Sequence, residues 1–262
     1  MTLISLINPL YALSGFVVGV LVGLTGVGGG SLMTPLLVLV FGLHPSTAVG
    51  TDLLYAAATK SVGTVVHGFT RTIDWRIVLR LACGSVPATA VTLLVLSHLG
   101  KSIDAKHGVL NTVLGAALIL SALSILLRKV IHDFFLRRGG ELDPARRTVF
   151  TVVLGVVLGA LVSLSSVGAG AIGMTVLLVL YPTMPTKTLV GSDIAHAVPL
   201  TLLAGFGHWI VGTVNFGLLG SLLAGSIPGV IIGSLLASRA SDRVLRPILA
   251  STLALVGSKM FF

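Results

Sequence analysis

Stretches of about twenty mostly apolar residues, the length a helix needs to cross a bilayer core of about 30 Å, recur along almost the whole chain. They lie near 9–25, 46–68, 75–99, 106–131, 147–165, 186–210, 216–238 and 244–261. None shows the ten-residue alternation of a barrel strand, so a β-barrel is excluded. In lipid each backbone N–H and C=O must find its partner inside the protein, and helices are what remains. The fold class is therefore an all-α integral membrane protein. Composition agrees, with 10% charged residues and a mean hydropathy of +1.07, against roughly a quarter charged in soluble domains. Met1 to Pro9 lacks the basic start and small-residue cleavage site of a secretory signal and reads as retained sequence leading into the first helix.

The net charge of +9 does not point to nucleic acid, because the basic residues gather at the ends of apolar runs instead of on one face. They mark the cytoplasmic side. The lone Cys83 offers no intramolecular disulfide, and no metal-ligand spacing appears, so no metal and no cofactor are expected. The lipid bilayer and a small substrate are the expected partners. Homo-oligomerisation is left open.

The chain repeats itself. At an offset of 140, Gly15, Gly19, Val27, Gly28, Gly30 and Pro45 meet Gly155, Gly159, Val167, Gly168, Gly170 and Pro185. At 141, Gly50, Asp52, His67, Gly84, Ser85 and Pro87 meet Gly191, Asp193, His208, Gly225, Ser226 and Pro228. This divides the chain into a transmembrane repeat at 1–130, a cytoplasmic basic linker at 131–146 and a second repeat at 147–262.

Each half also holds a short apolar run, near 31–42 and 171–181. The first would be only about 18 Å long as a helix, too short to cross alone. Paired with the preceding run as a hairpin turning at the glycines, it leaves each half an odd number of crossings. Two inverted repeats follow, each a short broken-helix hairpin plus three longer helices. With the linker residues Arg128, Lys129, Arg137, Arg138, Arg146 and Arg147 inside, inversion also places Arg71, Arg76, Arg80 and Arg239, Arg243, Arg246 inside. A parallel arrangement would put the last three outside. Lys101 and Lys106 are the exception, left outside near Asp104.

Two glycine-rich interruptions carry the strongest local signal: Thr25-Gly26-Val27-Gly28-Gly29-Gly30-Ser31 and its echo Ser165-Ser166-Val167-Gly168-Ala169-Gly170. Broken backbone at membrane depth is tolerated where it is buried or lines a wet cavity. The helix that starts there presents free N–H groups and a positive dipole end to an anion. Close helix packing through small residues is the alternative. No preceding strand supports a dinucleotide-binding reading.

The third apolar segment of each half, counting the short run, is polar in its middle: Asp52, Tyr55, Thr59 and Lys60 in one, Asp193 and His196 in the other. A lone lysine at mid-membrane costs at least about 2.5–3.5 kcal/mol, so Lys60 should face protein, water or a ligand. Its repeat counterpart is Thr201. Asp52 and Asp193 are candidates for a polar bond inside the bundle, with helix capping or proton coupling as alternatives. His196, one turn after Asp193, could bond to it or titrate, while His67 and His208 read as interfacial anchors. The substrate-binding candidates are Thr25, Gly28, Gly29, Gly30, Ser31, Lys60, Ser165, Ser166, Gly168, Gly170 and His196. An anion channel is a second reading. A third is an intramembrane serine protease using Ser163, Ser165 or Ser166 with His196.

The stretch Gly15, Gly19, Gly23, Gly26-Val27-Gly28-Gly29-Gly30 to Pro35 resembles the signature of the sulfite exporter TauE/SafE family, also called the 4-toluene sulfonate uptake permeases. The resemblance continues through Ala48-Val49-Gly50-Thr51-Asp52 and, in the second copy, Val190-Gly191-Ser192-Asp193. Ser166 and Ala169 depart from Gly26 and Gly29, so the two half-sites differ. The resemblance implies a permease, not an enzyme, moving sulfite, a sulfonate or a related organic anion across the bacterial inner membrane. Alternating access between the halves is the expected mechanism.

Overall fold

The computed structural model describes residues 7–25, 30–69, 71–104, 109–137, 142–236 and 242–260. Among them the chain is helical without strands, in the order α1 (Pro9–Thr25), α2 (Gly30–Leu39), α3 (Pro45–Phe69), α4 (Trp75–Asp104) and α5 (Val109–Arg137), then α6 (Pro144–Ser165), α7 (Ile172–Leu180), α8 (Thr186–Ile210), α9 (Phe216–Leu236) and α10 (Asp242–Lys259). By length and composition α4, α5, α6, α8 and α9 can each cross a membrane, and α1 is a shorter apolar helix. α3 matches the 25 residues of α8 but carries Asp52 and Lys60 along its length. Large apolar side chains stand outside, among them Leu94, Val130 and Leu235, as a lipid-facing surface requires.

The ten elements coincide with the ten apolar runs, and the main differences are at ends. α5 runs on to Arg137, past the expected 131, and α4 to Asp104, past 99. Charged residues end an apolar run, but long ones such as Lys and Arg are good helix formers and do not end a helix.

Helix packing follows the repeat. α1 lies against α9, and α6 against α4. A Cβ on Gly15 would sit 2.2 Å from the Leu222 carbonyl oxygen and one on Gly155 2.2 Å from that of Leu81, the same contact in the other half. Gly19 and Gly159 repeat it at 2.6 Å, against Ser226 and Ser85. In lipid there is little hydrophobic drive between helices, so association relies on close approach, which small residues permit. Each half thus lends its first helix to the fourth helix of the other. The halves interlock, and neither is a separate body.

α3 and α8 form the centre. Gly63 meets Ile194 and Gly205 meets Leu54, so these two equivalent helices run in opposed directions where they pack. Their ends are tied reciprocally: the Asp74 N–H donates to Ser192 Oγ at 2.8 Å, and the Asn215 N–H to Thr51 Oγ1 at 3.1 Å. The turns following α3 and α8 also match, since His67 Nδ1 bonds Thr72 Oγ1 at 2.8 Å and His208 Nδ1 bonds Thr213 Oγ1 at 3.0 Å. These histidines clamp the turns. On the linker side, Arg80 of α4 donates to the Tyr181 hydroxyl at 3.2 Å while the Arg147 guanidinium lies 5.3 Å over the same ring. Two of the basic clusters therefore meet at one level.

Candidate functional site

The site begins where α6 fails to continue. Ser166 turns into the left-handed region (φ 58°), followed by Gly168 (φ 119°) and Gly170 (φ 105°), before α7 starts at Ile172. Positive φ at alternate residues breaks the helix and leaves successive backbone N–H groups outside the helical ladder, a condition that favours anions. Glycine adopts such angles without steric cost, which explains Gly168 and Gly170. The Val167 N–H is taken by Ser165 Oγ at 3.1 Å, whereas the N–H groups of Gly168, Ala169, Gly170 and Ala171 make no bond among the described residues. All four residues are buried.

The two central carboxylates flank this break. Asp52, fully buried, accepts a hydrogen bond from the Thr34 hydroxyl on α2 and lies beside Ser166. Asp193, 3% exposed, places Oδ1 against Gly173 in the first turn of α7, where a Cβ would come within 2.7 Å. Each aspartate thus faces the short helix of its own half. Lys60, 6% exposed, is in the electrostatic field of both. Among the described residues no carboxylate comes within 4.0 Å of its ammonium.

Tyr55 and His196 occupy equivalent positions one turn further along α3 and α8. His196 Nε2 bonds Ser85 Oγ at 2.8 Å, and Tyr55 lies beside Ser226, the counterpart of Ser85. Among the described residues, six buried polar atoms here have no hydrogen-bond partner: Asp52 Oδ1, Tyr55 Oη, Ser166 Oγ, Asp193 Oδ1, His196 Nδ1 and Ser226 Oγ. An orphaned buried polar atom costs about 1–3 kcal/mol. Their clustering on α3, α8 and the helices against them marks a polar interior built to meet something other than itself.

Of the sequence candidates, the structure brings Lys60, Ser166, Gly168, Gly170, His196, Asp52 and Asp193 into this region. Ser165 is drawn into the backbone, donating to the Leu161 carbonyl at 2.7 Å while capping Val167. Gly28 and Gly29 lie outside the described residues, as do the side chains of Thr25 and Ser31; α1 ends at Thr25 and α2 begins at Gly30. His196 pairs with Ser85 and not with Ser163, Ser165 or Ser166, so the serine–histidine pairing considered for a protease is not formed. Sequence reasoning missed Thr34 and Ser85 as site residues. The matched Gly84-Ser85-Val86-Pro87 and Gly225-Ser226-Ile227-Pro228 already held the signal for Ser85. Thr34 has no such echo, because position 174 is Met.

Residues 11–260 match the family model described as Sulfite exporter TauE/SafE. The chain is 39% identical over 249 residues to the probable membrane transporter protein YjnA of Bacillus subtilis (strain 168), covering 95% of this chain and 97% of that one. It is 26% identical over 256 residues to YdhB, a probable membrane transporter protein of the same organism, covering 94% and 97%. A probable membrane transporter protein of Methanocaldococcus jannaschii is 28% identical over 207 residues, 76% of this chain and 71% of that one. No solved structure matches the chain.

Proposed function

The chain belongs to the sulfite exporter TauE/SafE family, and from that premise we propose that this multi-pass membrane transporter carries a small sulfur-containing or organic anion, such as sulfite or a sulfonate, by alternating access. The observation that carries the reading is the buried break between α6 and α7. Its four unbonded N–H groups lie between two carboxylates that share the field of one lysine. Fixed N–H dipoles in a water-poor interior attract an oxyanion strongly, because little solvent screens them. Lys60 supplies the positive charge, and Ser166 and His196 supply hydrogen bonds.

The two halves act as inverted repeats, and the opposed directions of α3 and α8 support this. An axis relating two equivalent, antiparallel helices at their contact lies across them, in the membrane plane, as in transporters whose broken helices meet at mid-bilayer. Rocking of the α1–α9 pair against the α4–α6 pair, each made of helices from both halves, would open the site to each side in turn. The basic linker and the Arg71–Arg80 cluster face the cytoplasm, and the protein resides in the bacterial inner membrane.

The deciding experiment is reconstitution into liposomes with a panel of sulfite, sulfoacetate, 4-toluenesulfonate and carboxylates. A carrier gives saturable flux with competition among the anions it accepts. Current that rises linearly with concentration and follows voltage alone would overturn the carrier reading in favour of a channel.

A further inference from the structure

The geometry points to a phosphate-binding site formed by Arg80 and Arg147 on the linker side of the membrane, taking either the headgroup of an anionic phospholipid or free phosphate. It is separate from the α6–α7 break and lies at the opposite end of α7.

Two arginines from two helices converge there on one buried side chain. α7 ends at Tyr181; Arg80 of α4 donates from its guanidinium to the Tyr181 hydroxyl at 3.2 Å, and the Arg147 guanidinium of α6 lies 5.3 Å over the ring. A relay of hydroxyls sets the direction of each bond. Thr151 Oγ1 donates to the Arg147 carbonyl at 2.7 Å, so the Tyr181 hydroxyl donates to Thr151 Oγ1 at 2.9 Å and accepts from Arg80. Arg80 is thereby oriented while most of its N–H donors stay available, and Arg147 is held by the face of its plane. Among the described residues neither guanidinium has a carboxylate within 4.0 Å. Both arginines are half-buried. Two like charges gathered partly out of water on one side chain repel each other, and an anion relieves the repulsion.

The fold itself does not require them. The repeat puts Phe41, Ile7, Tyr11 and Ser221 where Tyr181, Arg147, Thr151 and Arg80 stand. That second corner closes without charge: Tyr11 meets Phe41 edge-on with ring centroids 4.8 Å apart, and Ser221 Oγ accepts from the Asn8 N–H at 3.1 Å. Charge asymmetry across the bilayer does not explain them either. It needs only basic residues on one side, and the exposed Arg71, Arg76 and Arg146 supply those.

The surroundings select the chemistry. Trp75 and Leu79 of α4 and Val149 and Phe150 of α6 are exposed beside the arginines, an apolar collar suited to acyl chains beneath a charged headgroup. Guanidinium forks match phosphate oxygens through two parallel N–H bonds. An anionic phospholipid offers both parts at this depth, and free phosphate offers the headgroup chemistry alone.

The test titrates the full-length protein in detergent with phosphatidylglycerol, phosphatidylcholine or inorganic phosphate, reading retained lipid by native mass spectrometry and melting temperature in parallel. Wild type should retain phosphatidylglycerol over phosphatidylcholine, and Arg80→Gln and Arg147→Gln should each weaken that preference about fivefold. Arg76→Gln and Arg146→Gln remove the same charge from exposed positions and should keep it. Arg80→Lys combined with Arg147→Lys preserves charge without the planar fork and should recover only part. A melting temperature raised by inorganic phosphate in wild type, and not in the Arg80 and Arg147 variants, would support the site with a ligand from solution. Lipid preference without that rise would support it with a ligand from the bilayer. No preference in wild type, combined with no response to phosphate, would overturn the inference. Equal loss in the Arg76 and Arg146 variants would overturn it too, leaving only a diffuse positive field. If the glutamine variants fail to fold, the lysine pair decides, and an undiminished preference there overturns the site.

Discussion

Lys60 is the residue with the most at stake, since it is the single buried lysine among the described residues and its repeat counterpart is a threonine. Truncating it to alanine removes the positive charge and leaves Asp52 and Asp193 without a cation between them. Lys60→Ala should lower saturable anion uptake at least tenfold, about 1.4 kcal/mol of interaction, while membrane insertion persists. Cys83, exposed on α4, serves as the control. Uptake by Cys83→Ala should equal wild type, and an unaltered rate in the lysine variant would remove Lys60 from the site. Ser85 gives a second handle. Ser85→Ala breaks the 2.8 Å bond that holds the His196 ring, so apparent affinity should fall while Ser226→Ala, whose hydroxyl makes no bond here, has the smaller effect. Titration of both variants with one probe anion checks this order.

Among the elements, the α1–α9 and α4–α6 pairs govern stability, because their backbones touch through glycine. A Cβ on Gly225 would lie 1.8 Å from the Ala12 carbonyl oxygen, whereas one on Gly220 of the same helix would meet open space. Gly225→Val should destabilise by roughly 1–3 kcal/mol or more through overpacking, and lower the melting temperature in detergent by several degrees. Gly220→Ala should be neutral or stabilise by up to about 1 kcal/mol, since alanine is the better helix former. Equal melting temperatures for the two variants would contradict the packing described. The same logic explains why Gly15, Gly19 and Gly23 of α1 and Gly225, Gly229 and Gly233 of α9 are spaced by four while the glycines of the α6–α7 break are not: the first set serves approach, the second serves φ. Proximity of the carbonyls, not apolar burial, sets the cost.

At the scale of the whole molecule, inversion makes a prediction that separates it from every parallel arrangement. The turn after α3 and the turn after α8 are equivalent, so parallel repeats put both on one side of the membrane and inverted repeats put them on opposite sides. Arg71 and Val211 are exposed at these turns. In a background lacking Cys83, Arg71→Cys should be labelled by a membrane-impermeant thiol reagent only from the cytoplasmic side, and Val211→Cys only from the other. Labelling of both from one side would remove the inverted repeat and, with it, the rocking mechanism. Interlocked halves have a further consequence. Because α1 rests on α9 and α6 on α4, the alternating access proposed above would carry these pairs as units about the α3–α8 contact.

Much of this was legible in the residues. Apolar length determined helix number and nearly every boundary, because the bilayer imposes its thickness on any segment that crosses it. The 140- and 141-residue offsets already paired Gly84 with Gly225 and Asp52 with Asp193, and the glycine clusters announced broken helices, because few other residues tolerate the backbone they require. Which side chains face one another was decided only by tertiary structure. Ser85 meets His196 across 111 residues of chain, Thr34 turns toward Asp52, and Ser165 is taken by its own backbone while the adjacent Ser166 lies beside Asp52. Hydropathy reports whether a segment leaves water, a property of each residue alone. Rotation and register of the packed helices depend on many contacts at once, and they alone determine which polar atoms meet and which remain open to a ligand.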